Sequence, residues 1–111
     1  MKPLKRPKPP SHLEAETKKW WVSVQSEFLL ESHHVKLLTA ACEAWDRYQQ
    51  ARRVIHEQGL TVADRYGVPK CRPEVAVERD SRIAFSRLLR ELNLDSAPEE
   101  IRLPRISSGA S

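Results

Sequence analysis

Residues 33–58 read HHVKLLTAACEAWDRYQQARRVIHEQ, an uninterrupted run without proline or glycine. Within it Leu37, Ala41, Ala44, Tyr48, Ala51 and Ile55 recur at spacings of 4, 3, 4, 3 and 4, which lays them on one stripe of an α-helix. Leu38 and Trp45 widen that stripe on one side. Ser32 is a residue type that caps a helix start, and Gly59 supplies the left-handed position that ends one. Such a helix is long for a chain of 111 residues. Its alanine seam permits close approach of a second helix, either within one chain or between copies.

Working outward toward the N-terminus, Ser11 followed by Glu14 has the pattern of a capping box. From there Leu13, Thr17, Trp20 or Trp21, Val24 and Phe28 mark one face of a helix of about 17 residues. Toward the C-terminus, residues 60–73 lose the helical period and contain Gly67, Pro69 and Pro73, which fits a short hairpin or an irregular loop equally well. Pro73 suits the first turn of a third helix, and Glu74 has the right sign for its positive end. Val77, Ile83, Ala84, Phe85, Leu88, Leu89 and Leu92 give that helix an apolar face, and Asn93 can end it. The fold class expected is mainly α: a three-helix subunit with a long central helix and an extended loop or short hairpin between helices 2 and 3. It divides into a flexible, basic, Pro-rich arm over 1–10, a helical domain over 11–95, and a second flexible tail over 96–111.

The net charge of +4 is concentrated at one end. Residues 1–10 hold Lys2, Lys5, Arg6 and Lys8 and no acid, so the rest of the chain is balanced at zero. Four prolines in the same ten residues keep the segment extended. An arm of this kind suits a polyanion, since each neutralised phosphate releases counterions; the bland alternative is a solubilising tail. No stretch approaches the roughly 20 apolar residues of a membrane span, and no apolar run marks a secretory signal, so neither membrane nor export is expected. Cys42 and Cys71 match no zinc or redox spacing and read as two reduced thiols.

Catalysis finds little to stand on. His12, His33, His34 and His56 are the candidate titratable groups. His33 and His34 are adjacent, so their Cα–Cβ directions on a helix diverge by about 100° and are not expected to face one metal. The three glycines are isolated and form no phosphate loop. Neither a metal nor a cofactor is expected.

Helix 3 carries a basic line. Arg79, Arg82 and Arg90, with Ser86 between, share one face, and Arg87 lies beside it. Glu78 with Arg82 and Arg87 with Glu91 have i, i+4 spacing, so the line reads as a salt-bridged surface, an ion-pair seam between subunits, or a set of direct phosphate contacts. No pair of short helices joined by a tight turn marks a helix-turn-helix. Among the aromatics, Trp45 and Tyr48 lie on or beside the apolar stripe and read as core. Trp20 and Trp21 cannot both face one core, which leaves one of them for a subunit interface.

Taken in order, Leu37-Leu38-Thr39-Ala40-Ala41-Cys42-Glu43-Ala44-Trp45-Asp46-Arg47, then Gly59, Asp64-Arg65-Tyr66-Gly67 and the run from Glu78 to Leu92 resemble the small subunits of phage terminases. The resemblance covers about Trp20 to Leu94. It departs from the family pattern at Arg72-Pro73, where His-Pro is common, and at Asn93, where glycine is usual. It implies a non-catalytic helical subunit that assembles into a homo-oligomeric ring in the cytoplasm of the infected bacterial host. There it would bind double-stranded viral DNA at the packaging site and recruit the large terminase subunit, which holds the ATPase and nuclease. On this reading Lys2, Lys5, Arg6, Lys8, Arg79 and Arg82 contact DNA. Trp20, Trp21, Leu37, Ala41, Ala44 and Tyr48 form the oligomer interface. The competing reading is a helical protein-interaction module of antitoxin or adaptor type.

Overall fold

A computed structural model describes residues 8–94. It contains α1 (Ala15–Glu27), α2 (Ser32–Gln58), a two-stranded antiparallel hairpin of β1 (Thr61–Ala63) and β2 (Pro69–Cys71), and α3 (Pro73–Leu92). The three-helix reading holds, and the segment between helices 2 and 3 is a hairpin rather than an irregular loop. Lys2, Lys5, Arg6 and the expected 96–111 tail lie outside the described residues.

Helices α2 and α3 run antiparallel along each other. Leu38 shares the core with Leu92, Trp45 meets Phe85 in a tilted contact at 5.0 Å between ring centroids, and Arg52 reaches Glu78 at 4.0 Å. Ala41, Ala44 and Ala51 of α2 and Ser81 of α3 are buried, as small side chains must be where two helix backbones approach closely. The alanine seam is therefore used within the subunit. At one end α1 crosses the pair and closes a core of Leu13, Trp21, Val24, Leu38, Cys42 and Leu92. Trp21 is 2% exposed and Leu38 fully covered. Of the two adjacent tryptophans it is Trp21 that enters this core, with its indole N–H donating to Thr39 Oγ1 at 3.2 Å.

The start of α1 differs from the capping box expected at Ser11. Ser11 lies in a turn in which Leu13 N–H donates to Pro10 O at 3.3 Å, and the helix begins four residues later with Glu14 at its N-cap. The cap comes from another helix. Asp46 of α2, itself buried, accepts from the Glu14 backbone N–H at 2.9 Å and from the Thr17 hydroxyl. The Glu14 carboxylate turns outward to Arg53 at 2.8 Å and Gln50 at 3.3 Å. A local capping residue satisfies one orphan amide; Asp46 does so while also fastening α1 to α2. Similarly, α2 is capped by Glu31, not Ser32, with the Glu31 N–H donating to His34 Nδ1 at 3.4 Å.

The C-terminal ends follow expectation. Asn93 takes the left-handed helical conformation (φ 57°, ψ 45°) after α3, while Gly59 ends α2 with the expected positive φ of 90° but an extended ψ of 176°. Arg72 adds a clamp that has no counterpart in the sequence reading. Its guanidinium donates to the carbonyls of Gln58, Gly59 and Thr61 at 3.0–3.2 Å, so the open end of α2 and the base of the hairpin share one cation.

Candidate nucleic-acid and subunit interfaces

The basic line on α3 emerges with fewer partners than its spacing predicts. Glu78 turns to Arg52 on α2 rather than to Arg82, and Arg79 pairs with its neighbour Asp80 at 3.1 Å. The Arg87–Glu91 pair does not form either: among the described residues no carboxylate lies within 4.0 Å of Arg82, Arg87 or Arg90. Those three guanidiniums project from the exposed side of α3, where a planar donor fork can meet a phosphate or an acidic partner. Lys8 is exposed at the edge of the described chain. Of the expected DNA set, Lys8, Arg79 and Arg82 are thus the members that lie among the described residues.

The residues expected at a subunit interface separate into two groups. Trp21, Ala41 and Ala44 are buried inside the single chain. Trp20, Leu37 and Tyr48 are half-buried and reach the surface. Trp20 and Tyr48 belong to a row of aromatics that spans all three helices. Trp20 meets Phe85 at 6.1 Å, Phe85 meets Trp45, Trp45 meets Tyr48 at 5.3 Å, and the Arg52 guanidinium covers Tyr48 at 5.5 Å. Trp45 and Tyr48, read from sequence as core, are only half-covered. Between Glu16, Thr17, Trp20, Trp45, Phe85 and Leu89 the row encloses an open, largely apolar cleft of about 360 Å³.

The opposite end of the helix pair carries a second apolar surface. Both hairpin strands are exposed along their full length. Leu60 is 63% exposed and Tyr66 76%, with Val62 and Val68 also open to solvent. The turn between the strands is nonetheless well built. Asp64 Oδ1 accepts from Tyr66 N–H at 2.8 Å and Val68 N–H at 2.9 Å, Asp64 N–H donates to Val68 O, and Gly67 takes φ 81°. Arg65 stacks over the Tyr66 ring at 5.2 Å.

One sequence inference about histidines fails. The rings of His33 and His34 converge to 4.1 Å between centroids, and with Glu31 they place three ligand-type atoms within 4.8 Å. Imidazoles in a first helical turn, one exposed and one half-buried, can swing together although their Cα–Cβ bonds diverge. The cluster sits at the positive end of α2, which disfavours a cation.

No helix among the described residues is long and apolar enough to cross a membrane. Cys42 is buried, and burial, followed by the charges of Asp46 and Glu43, pushes its thiol up to about 12; Cys71 is exposed on the hairpin. The raised thiol of Cys42 is a poor nucleophile.

Comparison with known proteins gives one informative result. Neither the curated proteins nor the solved structures offer a significant match. A family model described as "Phage terminase, small subunit" matches residues 16–100. The match takes in α1 from its second residue, α2, the hairpin, α3 and all six cleft-lining residues, and extends beyond the Trp20–Leu94 stretch read from sequence. The chain belongs to the phage terminase small subunit family.

Proposed function

We propose that this chain is the DNA-binding, regulatory subunit of a phage packaging terminase. It assembles into a homo-oligomeric ring, engages double-stranded viral DNA at the packaging site, and presents it to the large subunit that carries the ATPase and nuclease. It performs no catalysis itself and acts in the cytoplasm of the infected bacterium. The family match over residues 16–100 carries this reading. Two features of the subunit support it. The apolar surface left open on the hairpin and in the aromatic cleft is of the kind that assembly covers. The exposed arginines of α3 and the cations of residues 1–10 offer phosphates a partner at both ends of the chain.

A ring brings many weak arms to bear on one duplex, so modest affinity per arm becomes avidity. Native mass measurement with and without duplex DNA tests the assembly: several copies in a closed complex are expected. A monomer or dimer that ignores DNA in dilute salt returns the chain to the class of helical interaction modules. Deleting residues 2–8 removes four cations. It is expected to weaken DNA binding and to flatten the dependence of log K on log salt by roughly 0.9 for each phosphate no longer neutralised. An unchanged slope removes the arm from the DNA interface. Arg82→Ala, and its neighbours Arg87→Ala and Arg90→Ala, place or exclude α3 by the same measurement.

A further inference from the structure

The cleft and the hairpin are two unlike, unpartnered apolar features of one chain. We propose that they meet between copies: the hairpin of one subunit, led by Tyr66, seats in the cleft of Trp20, Trp45 and Phe85 on the next. The contact is head-to-tail. This inference rests on the ring reading above and specifies which surfaces close the ring.

The two cannot meet within one chain. Trp45 and Gly59 are separated by fourteen residues of unbroken helix, about 21 Å at 1.5 Å per residue. The hairpin strands are three residues each, about 10 Å, and Arg72 holds their base against the end of α2. The hairpin therefore cannot fold back as far as the cleft of its own subunit.

Both parts are formed before they meet. The walls of the cleft come from three helices whose relative positions are fixed by the core around Trp21 and by Asp46. The tip is held by the double acceptance at Asp64 Oδ1 and by Gly67. Little ordering entropy remains to be lost when the surfaces meet. The cleft of about 360 Å³ has room for an aromatic ring, and its aromatic walls favour tilted ring contacts.

Charge also matches. Among the described residues Glu16 is the one acid lining the cleft, and its ion pair with Lys19 is a long 3.8 Å contact between two largely exposed side chains. Opposite it the hairpin offers Arg65 at the tip and Lys70 on β2, while the Asp64 carboxylate is engaged by backbone amides. Burying one Tyr removes about 150–250 Å² from water, well below the roughly 800 Å² per partner of a stable interface. Leu60, Val62 and Val68 must add to it, and closure must let each subunit make the contact twice. A knob and a cleft on one chain form a heterologous pair, which propagates until rotation closes it.

A mixing experiment on full-length protein decides the matter. Tyr66→Asp spoils the knob and Glu16→Arg spoils the cleft; both side chains are exposed, so circular dichroism should show unchanged helix content in each variant. Native mass should show wild type as a multi-subunit assembly. Each variant alone should need at least ~10-fold higher concentration to assemble. An equimolar mixture should stop at 1:1 pairs, joined by the intact hairpin of one and the intact cleft of the other. Combining Glu16→Arg with Arg65→Glu in one chain should recover much of the assembly. An assembled wild type whose mass is unmoved by Tyr66→Asp overturns the contact and leaves the ring standing. The same unchanged mass with weakened duplex binding assigns the hairpin to DNA and also overturns it. A monomeric wild type overturns both.

Discussion

The two ends of the α2–α3 pair both carry apolar side chains and use them in opposite ways. At the α1 end, Leu13, Trp21, Val24, Leu38, Cys42 and Leu92 are covered and hold the subunit together. At the Gly59 end, Leu60, Val62, Tyr66 and Val68 stand in solvent around a turn whose backbone is fully organised. A disordered loop exposing such residues would be a folding defect. A hydrogen-bonded one is suited to meet a partner. On the contact proposed above, stability and assembly are separated along one helix pair, and substitutions at the two ends should separate in the same way.

The largest effect is expected at the covered end. Trp21→Ala removes a side chain fully enclosed by three elements and should cost about 3–5 kcal/mol in chemical denaturation. A loss below ~1 kcal/mol would mean that α1 is not part of the cooperative unit. Asp46→Ala should cost less, about 1–3 kcal/mol, by leaving the Glu14 amide and the Thr17 hydroxyl without their acceptor. Its signature is a loss of helix confined to residues 15–27, readable by hydrogen exchange. Exchange that rises equally in α2 would contradict a role restricted to α1.

Cys42 sharpens the comparison by pH. Its thiol is raised from 9.0 to about 12, so the neutral form is the one the fold retains. Above pH 9 the unfolded chain binds fewer protons than the folded one, and stability falls as pH rises from about 9 toward 12. Cys42→Ser or Cys42→Ala should remove that slope, whatever it does at neutral pH. Thiol alkylation at about pH 8 should label exposed Cys71 at least ~10-fold faster than Cys42. The smallest effect belongs to the hairpin: Leu60→Ser and Val62→Ser should each leave the stability of the isolated subunit within about 0.5 kcal/mol. A larger loss would show that the hairpin is needed for folding.

What can be read from sequence follows from the range of the interactions involved. The stripe of α2, Gly59, Pro73 and Asn93 are local signals, and each falls where periodicity and backbone preference put it. The start of α1 departs from its local signal because its cap comes from Asp46, thirty-two residues away from Glu14. A carboxylate four residues past Cys42, on the buried, otherwise apolar face of an amphipathic helix, is the available hint. Helical spacing alone gives Glu78–Arg82 and Arg87–Glu91 as pairs; packing against α2 redirects Glu78 to Arg52. The interface residues divide for a similar reason. Periodicity marks Ala41 and Tyr48 as one face, whereas α3 covers the first and leaves the second partly open. Neither the cleft nor the Arg72 clamp has a one-dimensional signature, since each joins elements far apart in the chain.

The placement of Asp46 has a consequence for how the basic arm is delivered. Because Leu13 is sunk in the core and Glu14 is moored to the midpoint of α2, the chain enters the folded body beside the waist of the long helix, far from either tip. Pro10, whose carbonyl receives the Leu13 amide, marks the anchorage. Every cation upstream is tethered at that point. Adding or removing residues upstream of Pro10 would change how far along the chain those cations stand from the waist of α2, without touching a single residue of the helical body.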